Sequence, residues 1–138
     1  MTWWKRPKAV IDTNIFISGI LFSGNPAKIL RLFRTGEIEL LLSPELEAEI
    51  LRKLSAFGVN EDLIADLKFV LEEKSIKIIP LKSVKICRDP KDNMILALAQ
   101  EGKAAVVITG DKDLLILRRF GGAAILTPSQ FLENFSRN

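Results

Sequence analysis

The chain has no histidine. That absence removes every mechanism built on imidazole: a serine or cysteine triad with a histidine base, a histidine-bound zinc, a histidine general acid. Cysteine is nearly absent too, and the single Cys87 excludes an internal disulfide and a cysteine-rich zinc site. A reduced setting follows, with Cys87 expected as a small buried hydrophobe and not a nucleophile. Long apolar runs are also missing. The opening MTWWKRPK carries basic residues without a stretch that could form a signal peptide or a membrane span, so a cytoplasmic protein with no membrane partner is expected. The remaining means of catalysis are carboxylates, lysines, hydroxyls or a bound cation.

What is present suits one domain over residues 1–138, long enough to bury a core without a staple. Hydrophobic residues make up 48% and charged residues 27%, an ordinary globular balance, and the net charge of +3 is compatible with a nucleic-acid partner without requiring one.

Short apolar runs at Ala9–Ile11, Glu39–Leu42, Ile76–Ile79, Ala104–Ile108 and Ala123–Leu126 read as strands. Between them lie helical patterns. A helix over Ile15–Phe22 is followed by one capped by Asn25, with Pro26 as its first residue. Ser43-Pro44 repeats the signal ahead of the stripe Leu46, Ile50 and Leu54. Asn60 caps the next helix, Asp89-Pro90 opens another that runs to Gly102, and a short one follows Asp113. Thr127-Pro128-Ser129-Gln130 reads as a capping box before a last helix docked by Phe131, Leu132 and Phe135. Alternating apolar strands and helices predict an α/β fold, a three-layer α/β/α sandwich with a central parallel sheet of about five strands.

Right-handed crossovers deliver every strand's C-terminal end to one rim of such a sheet. Asp12 leaves the first strand there, and Asp111 leaves the fourth beside Thr109. Helices starting at the same rim bring Glu45, Glu47 and Glu49 on one and Asp89 and Asp92 on another. Each has a structural alternative: Asp12 or Asn14 can cap a helix, Asp89 and Asp92 can form a capping box, and Asp113 can cap the short helix. Carboxylates crowded on one rim nevertheless repel unless a cation neutralises them. Oxygen donors without histidine or cysteine select Mg²⁺ or Mn²⁺, and one or two such ions suit phosphodiester hydrolysis. Lys91, Lys112, Arg118 and Arg119, with Lys5, Arg6 and Lys8 on the N-terminal arm, are candidates for holding a nucleic-acid backbone, the alternative being solvated surface charge. Trp3 and Trp4 are read first as packing or a subunit contact, with base stacking as the alternative.

In order and spacing, VIDTNIFISG, SPELEAEIL, RDPKDNMILALA and VITGDKDLL resemble the PIN-domain family over nearly the whole chain. The resemblance implies a metal-dependent nuclease, in most cases a ribonuclease and often the toxin of a toxin–antitoxin pair. It matches Asp12, Glu49, Asp92 and Asp111 to four acids that bind Mg²⁺ or Mn²⁺, with Thr13, Asn14, Asp89, Thr109 and Asp113 in support. It also selects Glu49 over Glu45 and Glu47, which helical spacing does not, and implies a homodimer, an RNA substrate and an antitoxin partner in the acidic cleft. Two rivals stand beside it. A phospho-accepting receiver domain needs an acidic pair after the first strand, where this chain has Asp12-Thr13-Asn14. A non-catalytic RNA-binding protein would keep the fold without the chemistry.

Overall fold

The structure is a computed structural model and describes residues 5–136. Its elements run β1 (Lys8–Ile11), α1 (Thr13–Leu21), α2 (Asn25–Arg34), β2 (Glu39–Leu42), α3 (Pro44–Ala56), α4 (Glu61–Lys74), β3 (Ile76–Lys77), α5 (Pro90–Glu101), β4 (Val106–Ile108), α6 (Lys112–Leu115), β5 (Arg119–Phe120), β6 (Ala123–Leu126) and α7 (Pro128–Ser136). Six strands form one sheet in the order β3-β2-β1-β4-β6-β5. All neighbours are parallel except β5 and β6.

That sheet explains the apolar runs. Ala9, Val10, Ile11, Leu41, Leu42, Val106, Val107 and Ile108 are fully buried, which is what helices on both faces of a central parallel strand impose. On one face α1 packs on α2 and α3, α3 packs on α4, and α2 packs on α7. The order reverses direction after β3, so a right-handed connection carries α5 across the opposite face, where it covers β1, β2 and β4. No helix among the described residues is long and apolar enough to cross a membrane.

Several boundaries differ from the sequence expectation, each for a local reason. The third strand stops at Lys77, although the Ile78 N–H still bonds the Leu42 carbonyl at 2.9 Å. Pro80 has no N–H and restricts the residue before it, so the ladder cannot continue to Ile79. The fourth strand is likewise shorter than Ala104–Ile108, beginning at Val106. The sheet has six strands and not five because Gly121, at φ +58°, turns the chain tightly enough for Arg119 and Phe120 to pair antiparallel with Ala123 and Ala124. The second helix is entered through Gly24 at φ +119°, which makes Asn25 its first residue instead of its cap. Ser43, Asn60 and Asp89 cap as expected, through bonds to the backbone N–H groups of Leu46, Asp62 and Lys91. The capping box closes reciprocally, at 3.0 and 3.1 Å between Thr127 and Gln130. Trp3 and Trp4 lie outside the described residues.

Candidate metal centre

β1 lies between β2 and β4 at the middle of the sheet, and the Asp12 N–H adds one more rung by bonding the Ile108 carbonyl at 2.9 Å. The chain then turns into α1 with Asp12 at the N-cap position, yet its side chain makes no capping bond. Its Oδ2 instead accepts from the Thr109 hydroxyl at 2.6 Å. Thr109 is fully buried just beyond β4, and the same hydroxyl accepts the Asp111 N–H at 3.0 Å. One side chain thus ties the two acidic strand ends together.

Asp111 caps α6, its Oδ1 accepting from the Asp113 N–H at 2.8 Å. The short helix therefore starts at Lys112, and the capping role assigned to Asp113 belongs to Asp111. Asp113 turns its carboxylate toward the acids instead: Asp92, Asp111 and Asp113 each place one oxygen within 4.8 Å of the others. Asp92, in the first turn of α5, is only 5% exposed, and its buried Oδ2 has no hydrogen-bond partner.

From the opposite wall, Glu49 enters the same cleft of about 130 Å³, which Asp12, Thr13, Asn14, Asp89, Asp92 and Asp111 also line. Its neighbours on α3 do not. Glu47 is buried in an ion pair with Lys77 of β3, and Glu45 stays exposed in the first turn. Lys53 and Lys91 approach Glu49 Oε1 at 3.6 and 3.7 Å, and Lys53 also donates to Asn14 Oδ1 at 3.3 Å. Arg88 reaches both Asp113 oxygens, at 3.1 and 3.2 Å.

Burial pushes the Asp12 carboxyl above its usual value; hydrogen bonds from Thr109 and Thr13 oppose the rise, and the charges of Asp111 and Glu49 add to it. Asp92 is pushed up to about 6, first by burial and then by the charges of Asp111, Asp89, Asp12 and Asp113. Such a group is unstable as an anion without a counterion. A buried carboxylate oxygen with no donor, on a side chain set among other carboxylates, suits a metal ligand, and the all-oxygen donor set fits a hard divalent cation. Cys87, half-buried nearby, has its thiol pushed up by burial and then by the same acids, which favours its protonated form.

Of the proposed backbone-binding cations, Lys91 lines the cleft, while Lys112 and Arg118 are exposed on and just after α6. Arg119 lies elsewhere: it donates to the Gly122 carbonyl and borders a separate groove beside Lys103 and Gln100. Lys5 and Arg6 precede β1 and Lys8 begins it, at the end of the strand remote from Asp12. Lys53 and Arg88 escape the sequence reading. For Lys53 the signal exists, since it stands four residues after Glu49; Arg88 meets Asp113 across 25 residues, which no local pattern reveals.

The Thr109 bridge gives a direct test. Thr109→Val keeps the shape but leaves the Asp12 carboxylate and the Asp111 N–H without their partner, at a cost of about 2 kcal/mol in urea unfolding, whereas Thr109→Ser retains most of the stability.

Comparison with known proteins identifies the fold and the family. An uncharacterised protein of Methanocaldococcus jannaschii is 35% identical over 144 aligned positions, covering 94% of this chain and 92% of the relative. The FitAcB crystal structure from Neisseria gonorrhoeae superposes with a TM-score of 0.54 at 19% identity, over 88% of this chain and 98% of that one. The PIN domain of RRP44 from T. brucei does so with 0.54 at 13% identity, over 97% and 83%. At those identities the two structures show the fold alone. The family model of the PIN domain matches residues 8–113, a span that holds every acid of the cleft. This chain therefore belongs to the PIN-domain family, whose members are typically metal-dependent nucleases.

Proposed function

We propose that the protein is a metal-dependent endoribonuclease, a single cytoplasmic domain acting as a homodimer and serving as the toxin of a toxin–antitoxin pair. The observation that carries the nuclease reading is the buried, unpartnered Asp92 oxygen among the other rim carboxylates. Asp12, Asp92 and Asp111 would hold Mg²⁺ or Mn²⁺, with Glu49 and Asp113 on either flank. A divalent cation bound here supplies Lewis acidity at the phosphate and a more acidic water.

The chain's own residues do the rest. Thr109 fixes Asp12 and Asp111 relative to each other, and Asp89 holds the first turn of α5 through the Lys91 N–H, which sets the position of Asp92. Lys112 and Arg118 are free to meet phosphate, being exposed beside the acids in sequence and outside the ion pairs of the described residues. Lys91 and Lys53 leave the cleft less negative on the α3 side, where a polyanionic strand has to approach. An antitoxin segment would act by filling this cleft.

The test is cleavage of mixed structured and unstructured RNA with Mn²⁺ or Mg²⁺, beside EDTA and a matched DNA pool. Metal-dependent cutting of RNA is expected. Inert protein in all lanes favours the binding-only rival, and cutting of DNA alone overturns the ribonuclease assignment. Growth arrest on expression, relieved by a co-expressed neighbouring gene product, distinguishes a toxin from a processing nuclease.

A further inference from the structure

We infer that the cleft takes one divalent cation and not two, because Lys53 and Lys91 serve as a built-in second cation on Glu49. The inference rests on the metal-site reading above and concerns how many ions this chain's residues leave room for.

The acids of the rim divide into two kinds. Glu49 receives two ammonium groups on one oxygen, and Asp113 receives the Arg88 guanidinium. Among the described residues, no cationic side chain pairs with Asp12, Asp92 or Asp111. Three carboxylates therefore remain for an ion, and one of them carries the orphaned buried oxygen. A single divalent cation nearly neutralises them.

The ammonium groups on Glu49 come from different elements, and that of Lys53 is held by a second contact. Lys53 lies one turn after Glu49 on α3, is 26% exposed, and is tethered to Asn14 Oδ1 across the cleft. Lys91 comes from the first turn of α5, where its own backbone N–H is fixed by Asp89. A second divalent ion at Glu49 would stand against two ammonium groups and the first ion, all of like sign in a small cleft. It could bind only by expelling both lysines.

Counting bound ions tests this without measuring turnover. Free Mn²⁺ is quantified by electron paramagnetic resonance at increasing concentration against wild-type protein, Glu49→Gln, Asp92→Asn and the double variant Lys53→Met/Lys91→Met. Wild type is expected to bind one ion, and Glu49→Gln one ion with affinity within about threefold. Asp92→Asn should weaken binding by at least about 100-fold, since disturbing even a partner one step removed from the ion costs about 10- to 100-fold. The double variant should bind two. Two ions on wild type, or a folded double variant that still binds one, overturn the inference and leave the metal site standing. A drop from two ions to one on Glu49→Gln does the same. No binding to wild type overturns the metal-site reading and this inference with it.

Discussion

Asp12→Asn is expected to lower metal-dependent cleavage by about three orders of magnitude while leaving the fold intact. The asparagine oxygen can still accept from the Thr109 hydroxyl, and the backbone rung from Asp12 to Ile108 is untouched, so the circular dichroism spectrum should not change. What is lost is one full negative charge at the point where cation and phosphate must meet. Charge-stabilising contacts at such points are worth on the order of 10²–10³ in rate each, and here weakened ion binding adds to that loss. Cleavage rates across a Mn²⁺ titration separate the two contributions. Activity within tenfold of wild type at saturating Mn²⁺ would remove Asp12 from the centre.

The second large effect is on stability, and its sign is opposite to the usual one for acids. Asp92 is raised in the folded state to about 6, so between its unfolded value near 3.8 and that point the native chain binds more protons than the unfolded chain. Stability from this group is complete below about pH 4 and is lost as pH rises through about 6. The shift corresponds to about 3 kcal/mol, and Asp12, raised in the same direction, adds to it. About 2 kcal/mol of this is lost between pH 4.5 and 7.5, so melting in EDTA should fall by about 7 °C across that window. Magnesium should restore most of that loss at pH 7.5, since an ion that binds only the native state stabilises it. Asp92→Asn should flatten the EDTA profile and melt above wild type at pH 7.5, a variant stabler than its parent and without activity. An EDTA profile flat in wild type would mean the rim acids are solvated.

The parts of this centre that are legible in the sequence are those set by backbone periodicity. Asp12 stands directly after one apolar strand and Asp111 three residues after another, and Asp89 and Asp92 open a helix with a proline signal, so parallel-sheet handedness alone brings them to one rim. Side-chain choices within that frame are less legible. Three glutamates share the first half of α3, helical spacing does not choose among them, and it is the tertiary positions of Lys77 and the cleft that give the physical reason why Glu47 is structural and Glu49 is not. Asp113 reads as a cap because helix start signals tolerate an error of two residues, which is the offset from Asp111. The two-residue β5 lies below the length at which alternation can be seen, and only its hairpin glycines mark it.

The Thr109 hydroxyl that joins Asp12 to Asp111 also sets when the centre can exist. Asp12 and Thr109 are 97 residues apart, and β1 lies between β2 and a β4 that is made almost 100 residues later. Contacts of such long separation form late, and a chain emerging from its N-terminal end has nothing to close them with. A nascent chain halted before residue 106 has Asp12, Glu49 and Asp92 but lacks β4, the Thr109 hydroxyl and Asp111. High contact order at the rim thus delays assembly of the acidic centre until the chain has been made through β4, and no shorter N-terminal segment can form it.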